Sequence, residues 1–130
     1  MIFSSEQKYR NIKLNQEQAD GYKSKIVSHY ETEKPFLNNE YSLTKLSEDV
    51  NIPKHLLSLV FSTQIKMGFV DFTNGFRVEE AKHLLVDNPN YTISSVAFDS
   101  GFNSVSSFNQ AFKKSTKITP SKYRDLHSIK

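Results

Sequence analysis

An internal repeat constrains this chain more than any other feature. Leu43, Leu46 and Ile52 stand 50 positions before Ile93, Val96 and Phe102, and Leu57 and Phe61 stand 51 positions before Phe108 and Phe112. One extra residue in the second turn accounts for the change of offset. Apolar residues recurring three and four positions apart predict helices with one buried face. Two copies of such a framework predict a duplicated supersecondary unit.

The second copy is the more explicit. Thr92 is placed to cap a short helix whose apolar face is Ile93, Val96 and Ala97. Ser100-Gly101-Phe102 follows, with glycine where the backbone needs positive φ. Asn103 and Ser104, both good capping types, precede a second helix that buries Phe108, Ala111 and Phe112. Two short helices around a glycine-containing turn make a helix-turn-helix. Its outer face carries Val105, Ser106, Asn109 and Gln110, then Lys113 and Lys114. Small and amide side chains read base edges, and lysines hold phosphates. A helical hairpin with a merely polar outer face fits the same residues.

In the first copy, Ser42 caps a helix bearing Leu43, Leu46 and Val50. Asn51-Ile52 makes the turn, and Pro53 suits the first turn of the next helix. That helix buries Leu56, Leu57, Val60 and Phe61 and turns Lys54, His55 and Ser58 outward. A shared apolar framework with different outer residues fits duplicated readers of two different sequences. It also fits a duplicated structural hairpin.

Around these units the chain divides into residues 1–16, a linker or disordered start; 17–40, a support helix; 41–67, the first motif; 68–88, a linker helix; and 89–128, the second motif with a C-terminal helix. In the support helix Tyr22, Ile26, Val27 and Tyr30 fall at helical spacing, and Pro35 bounds it. It covers the first motif, or presents a dimer or signalling surface. In the linker, Phe69, Phe72, Phe76, Ala81, Leu84 and Leu85 form the stripe, Gly68 starts it, and Asp87-Asn88-Pro89-Asn90 ends it. Arg77 is expected to meet a carboxylate in the packed interior. Thr119 and Pro120 open a last helix, where Tyr123 and Leu126 are expected to close the second unit.

Composition narrows the chemistry. Net charge is only +3, but Lys113, Lys114, Lys117, Lys122, Arg124 and Lys130 face a single acid, Asp125, at the C-terminal end. That end suits a polyanion, or is a solvated basic tail. With no cysteine, thiol catalysis, disulfides and cysteine-based zinc sites are excluded. No apolar run approaches the ~18–20 residues of a membrane span, and no signal peptide is evident. His29, His55, His83 and His127 lack metal-ligand spacing, and Glu79-Glu80 point different ways on a helix. No glycine-rich phosphate loop is present. The expectation is a protein that is not an enzyme, with no catalytic residues, metal or cofactor.

The run GFNSVSSFNQAFKKSTKITPSKYR resembles the second helix-turn-helix of the AraC/XylS family of transcription regulators. The matching positions are Gly101-Phe102, Ser104, Phe108, Phe112, Thr119-Pro120 and Tyr123-Arg124, and RVEEAKHLL is similar to that family's connecting helix. The resemblance covers about Leu43 to Arg124. It implies an all-α fold of two homeodomain-like helix-turn-helix subdomains on a long linker helix, about seven helices. It places base-facing positions at Lys54, His55, Ser58 and Leu59 and at Val105, Ser106, Asn109 and Gln110. Ser42, Thr92, Lys113 and Lys114 are the phosphate partners expected from helix starts and charge. The chain departs from the family's pattern in three places. Leu59 stands where a long polar residue is usual, Pro53 replaces a hydroxyl cap, and Lys66 and Lys117 replace the glycine that often follows each recognition helix.

The implied partners are double-stranded DNA, the transcription machinery and an N-terminal sensor or oligomerisation region outside this segment. The segment itself is not expected to touch a membrane. The implied location is the cytoplasm, including the cytoplasmic end of a membrane-anchored regulator. The competing reading is a helical protein-interaction module that keeps the fold without specific DNA reading; Leu59 and the modest charge motivate it.

Overall fold

The computed structural model describes residues 14–128. The helices are α1 (Gln16–Glu33), α2 (Leu43–Val50), α3 (Lys54–Val60), α4 (Phe69–Asp87), α5 (Ile93–Asp99), α6 (Val105–Thr116) and α7 (Pro120–His127). A 3-10 turn, Pro35–Leu37, follows α1, and α3 runs on without a break into a π turn, Phe61–Ile65. The described residues are all-helical, as the apolar periodicity predicts.

The boundaries follow from capping chemistry. Asn15 forms a reciprocal capping box with Gln18 at the start of α1. Ser42, Thr92, Ser104 and Thr119 each accept a hydrogen bond from the third backbone N–H of the helix they open. Pro120 is the first residue of α7, whereas Pro53 stands one place before α3 rather than inside it. Lys34, Asn51, Lys66 and Lys117 close their helices in the left-handed region, with φ of 48°, 56°, 64° and 70°.

Two cores result. Ile26, Tyr30, Phe36, Leu46, Ile52, Leu57, Val60 and Phe61 fill the first. Val78, Ala81, Leu85, Val96, Phe102, Phe108 and Phe112 fill the second. Helix α4 belongs to both. Its early rings, Phe69, Phe72 and Phe76, pack on the first core, while Val78, Ala81 and Leu85 are buried in the second. The linker is therefore a shared wall and not a free strut. Tyr30 is the hub of the first core, with Phe72 and Phe76 rings 4.9 and 5.2 Å away and its hydroxyl 2.8 Å from Thr73 Oγ1. Burial pushes the Tyr30 hydroxyl up to about 12, the Thr73 hydrogen bond only partly opposing it.

Three expectations need correction. Among the described residues Arg77 meets no carboxylate: it donates to the Phe36 and Asn38 carbonyls and to Asn74 Oδ1. Leu126 is 61% exposed and closes nothing; Tyr123, edge-on to Phe112 at 5.4 Å, and the buried Pro120 close the unit. Arg124 is turned inward, Nε donating to the Leu85 carbonyl at 2.9 Å and Nη2 to that of Asn88 at 3.3 Å. It satisfies carbonyls left free at the end of α4, so it is withdrawn from the basic end. The 1–13 part of the expected start, and Lys130, lie outside the described residues.

Candidate nucleic-acid interface

The 51-position offset found in the apolar residues extends through both second helices. Helix α3 with its π turn spans Lys54–Ile65 and α6 spans Val105–Thr116, and the left-handed caps Lys66 and Lys117 keep the same offset. Position by position, Lys54 matches Val105, His55 Ser106, Ser58 Asn109, Leu59 Gln110, Ser62 Lys113 and Thr63 Lys114.

On α6, Ser106, Asn109, Gln110, Lys113 and Lys114 are exposed. Val105 is half-buried, its base resting on the second core. The amides of Asn109 and Gln110 stand one residue apart on a face whose opposite side is pinned by Phe108 and Phe112. Lys113 and Lys114 lie in the last turn, where cations suit the helix dipole. Lys114 reaches Asp71 on α4 at 3.2 Å, both ends well exposed, so the pair is readily given up to another anion.

On α3, Lys54, His55 and Ser58 are exposed. Leu59, expected to face a base, is only 9% exposed. It lines a cleft of about 300 Å³ with Leu14, Ala19 and Thr63, under the start of α1. Gln110 has no such cover. Among the described residues the start of α1 walls the first motif and leaves Gln110 exposed, and under that wall an apolar side chain is the stable choice.

Ser62 and Thr63 also differ from their lysine counterparts. Both hydroxyls donate back to the Leu59 carbonyl, at 3.1 and 2.7 Å, where the helix widens into the π turn. They are exposed but committed locally. Neither was singled out from the sequence, although the 51-position offset from Lys113 and Lys114 marks them. Ser42 and Thr92, at the starts of α2 and α5, are exposed with their oxygens engaged as caps. Thr92 also donates to Ser95 Oγ at 3.0 Å, so its hydroxyl is more fully occupied than that of Ser42.

A helix-turn-helix domain model of the AraC type matches residues 46–125. This chain belongs to the AraC/XylS family. It carries that family's DNA-binding, transcription-regulating domain. Uncharacterised HTH-type transcriptional regulators of Staphylococcus aureus are 38% identical to it over 87 residues, which is 67% of this chain and 12% of the relative. The chain thus corresponds to a small part of the length of those relatives. Among solved structures, the C-terminal domain of the two-component response regulator yesN from Fusobacterium nucleatum is 30% identical, with a TM-score of 0.68, covering 80% of this chain and 98% of that one. The DNA-binding domain of AdpA, solved in complex with a target DNA, shares the fold at 17% identity and a TM-score of 0.68, covering 79% and 89%. After each second helix the left-handed geometry is held by a lysine, Lys66 and Lys117.

Proposed function

We propose that this domain binds double-stranded DNA across two successive major grooves, with α6 reading bases and α3 mainly seating the domain. The observation that supports this is the 51-position correspondence of two polar-faced helices held on one shared helix. At 1.5 Å per residue the 19 residues of α4 span ~28 Å. That is close to one turn of duplex, ~34 Å, so both second helices can address one side of the DNA.

The division of labour rests on side-chain chemistry. Asn109 and Gln110 can pair bidentately with adenine, Ser106 can bond either donor or acceptor, and Val105 can touch a thymine methyl. Lys54, Lys113 and Lys114 suit phosphates, and His55 suits guanine N7 or phosphate. Ser42 and Thr92 stand beside the free N–H groups of helix starts, where phosphates also dock. Leu59 has no hydrogen-bonding group and lies under α1, which leaves α3 fewer base-directed atoms than α6. We place the domain at the output end of a longer regulator, with a sensor or oligomerisation region elsewhere in it. It acts on the transcription machinery from the cytoplasm. Among the described residues no helix is long and apolar enough to cross a membrane.

The test is a salt titration on random duplexes followed by selection from a sequence pool. About three phosphates neutralised by Lys54, Lys113 and Lys114 give a log–log slope near −2.7. The selected sites should have one strongly and one weakly specified part, about one helical turn apart. Absence of binding at low salt, or a salt-insensitive complex with a protein instead, would overturn the reading in favour of an interaction module.

A further inference from the structure

Three segments far apart in sequence meet at one side chain. Arg77 of α4 donates through Nε to the Phe36 carbonyl at 2.7 Å and through Nη2 to the Asn38 carbonyl at 3.0 Å. Its third bond, Nη1 to Asn74 Oδ1 at 3.1 Å, stays on its own helix and fixes its direction. Its guanidinium carbon lies 5.9 Å from the centre of the Phe102 ring, in cation–π range. Phe36 is buried in the first core and Phe102 in the second. One arginine therefore touches both subdomains.

Gly101 completes the contact. It sits at φ 101°, where L side chains are strained. A Cβ there would land on the Phe36 carbonyl oxygen, the same atom that Arg77 Nε holds, and would lie 3.0 Å from that Nε and from Leu37 Cα. The turn of the second motif is thus pressed directly on the 3-10 turn of the first subdomain. Lys34 and Glu80, 3.5 Å apart, tie α4 to the residue before that same turn. Tyr30 and Phe108 are each fully buried within their own clusters.

We propose that Arg77 is a positioning residue: with Gly101 it locks the angle between the two helix-turn-helix motifs, and so sets the half-site spacing the domain accepts. The proposal rests on the two-groove reading above. Binding of the second motif is intramolecular once the first is seated, and its gain depends on how well the two are already aligned. The junction supplies that alignment without any contact to DNA. Arginine suits it because a planar fork reaches two carbonyls while stacking on a ring; lysine offers one point charge.

The experiment uses the whole chain carrying R77Q, with R77K as the milder variant and circular dichroism to confirm folding. Because the chain has no cysteine, Thr44→Cys and Ser94→Cys place spin labels at equivalent exposed positions of the two motifs. Electron–electron resonance then reports the distance between them without DNA. The expected result is a narrow distribution in the parent and a broadened one in R77Q, with R77K between. On the selected two-part duplex, R77Q should lose roughly 10- to 100-fold in affinity. It should keep parent-like affinity for a duplex holding only the part read by α6, and tolerate spacers altered by one or two base pairs. A distribution as narrow in R77Q as in the parent overturns the proposal. So does an equal affinity loss on both duplexes. A broadened distribution in a chain that selects no duplex supports the joint and removes the DNA reading instead.

Discussion

Replacing Lys117 with glycine should make the protein more stable and a weaker binder at once. Lys117 closes α6 at φ 70°, its N–H bonded to the Lys113 carbonyl at 2.8 Å. A non-glycine residue in the left-handed region costs about 1–2 kcal/mol. Glycine relieves that but returns about 0.5–1 kcal/mol through the larger freedom of the unfolded chain. The net gain is about 0.5–1 kcal/mol, a rise in Tm of about 2–5 °C for a domain of this size. Lys66, the repeat-related cap at φ 64°, should give a similar gain. The two should add, since the caps close different helices on different cores. Lys117→Ala is the control: it removes the same charge and leaves the backbone strained, so it should not raise Tm. On DNA, glycine and alanine should behave alike, each weakening binding through loss of the same charge from the basic end. Thermal melts and urea titrations measure the first effect and salt titrations the second. If K117G and K117A shift Tm equally, the strain argument fails.

Other predictions follow from the buried polar pairs and the exposed face. Tyr30→Phe and Thr73→Val should each destabilise by about 1–3 kcal/mol, because each leaves the other hydroxyl unpaired at a site 0–1% exposed. The double variant should recover much of that loss in urea unfolding; simple additivity would refute the argument. Burial alone would raise the Asp49 carboxyl, but hydrogen bonds from Tyr41 and His29 and the charges of Lys45 and His29 outweigh it and hold the group below the usual range. Its contribution is thus present above the unfolded pKa and lost as pH falls through the lower folded value. The stability gap between parent and Asp49→Asn should therefore close as pH falls below about 4; a gap that widens down to that pH and beyond contradicts the assignment. Gln110→Ala should cost about 1–3 kcal/mol on the preferred duplex and relax selection at one base pair, while Leu59→Ala should lower Tm more than it alters the selected sequence. A sequence pool that changes equally for both would show that Leu59 reads bases.

Much of this architecture is local in origin and was legible for that reason. Ser42, Thr92, Ser104 and Thr119 cap because a short hydroxyl side chain meets the nearest free N–H groups, whatever the tertiary context. The apolar spacing of Leu57 and Phe61, repeated at Phe108 and Phe112, specifies which face is buried. Gly101 is marked by its place in the turn, and its φ of 101° agrees.

Position in space decided the rest. Leu59 and Gln110 occupy equivalent places in the repeat, yet one is covered because α1 crosses only the first motif. Arg77 and Arg124 read as cations and are spent on backbone carbonyls of Phe36, Asn38, Leu85 and Asn88, at sequence separations of 36 to 41. A side chain's charge and periodicity are carried by its neighbours along the chain. Which carbonyl it satisfies, and which helix lies over it, are set by packing between distant segments. The sequence by itself therefore determined two helix-turn-helix units on one connecting helix. Only the tertiary structure decided that the turn of the second is pressed against the first subdomain, and that their outer faces are not equivalent.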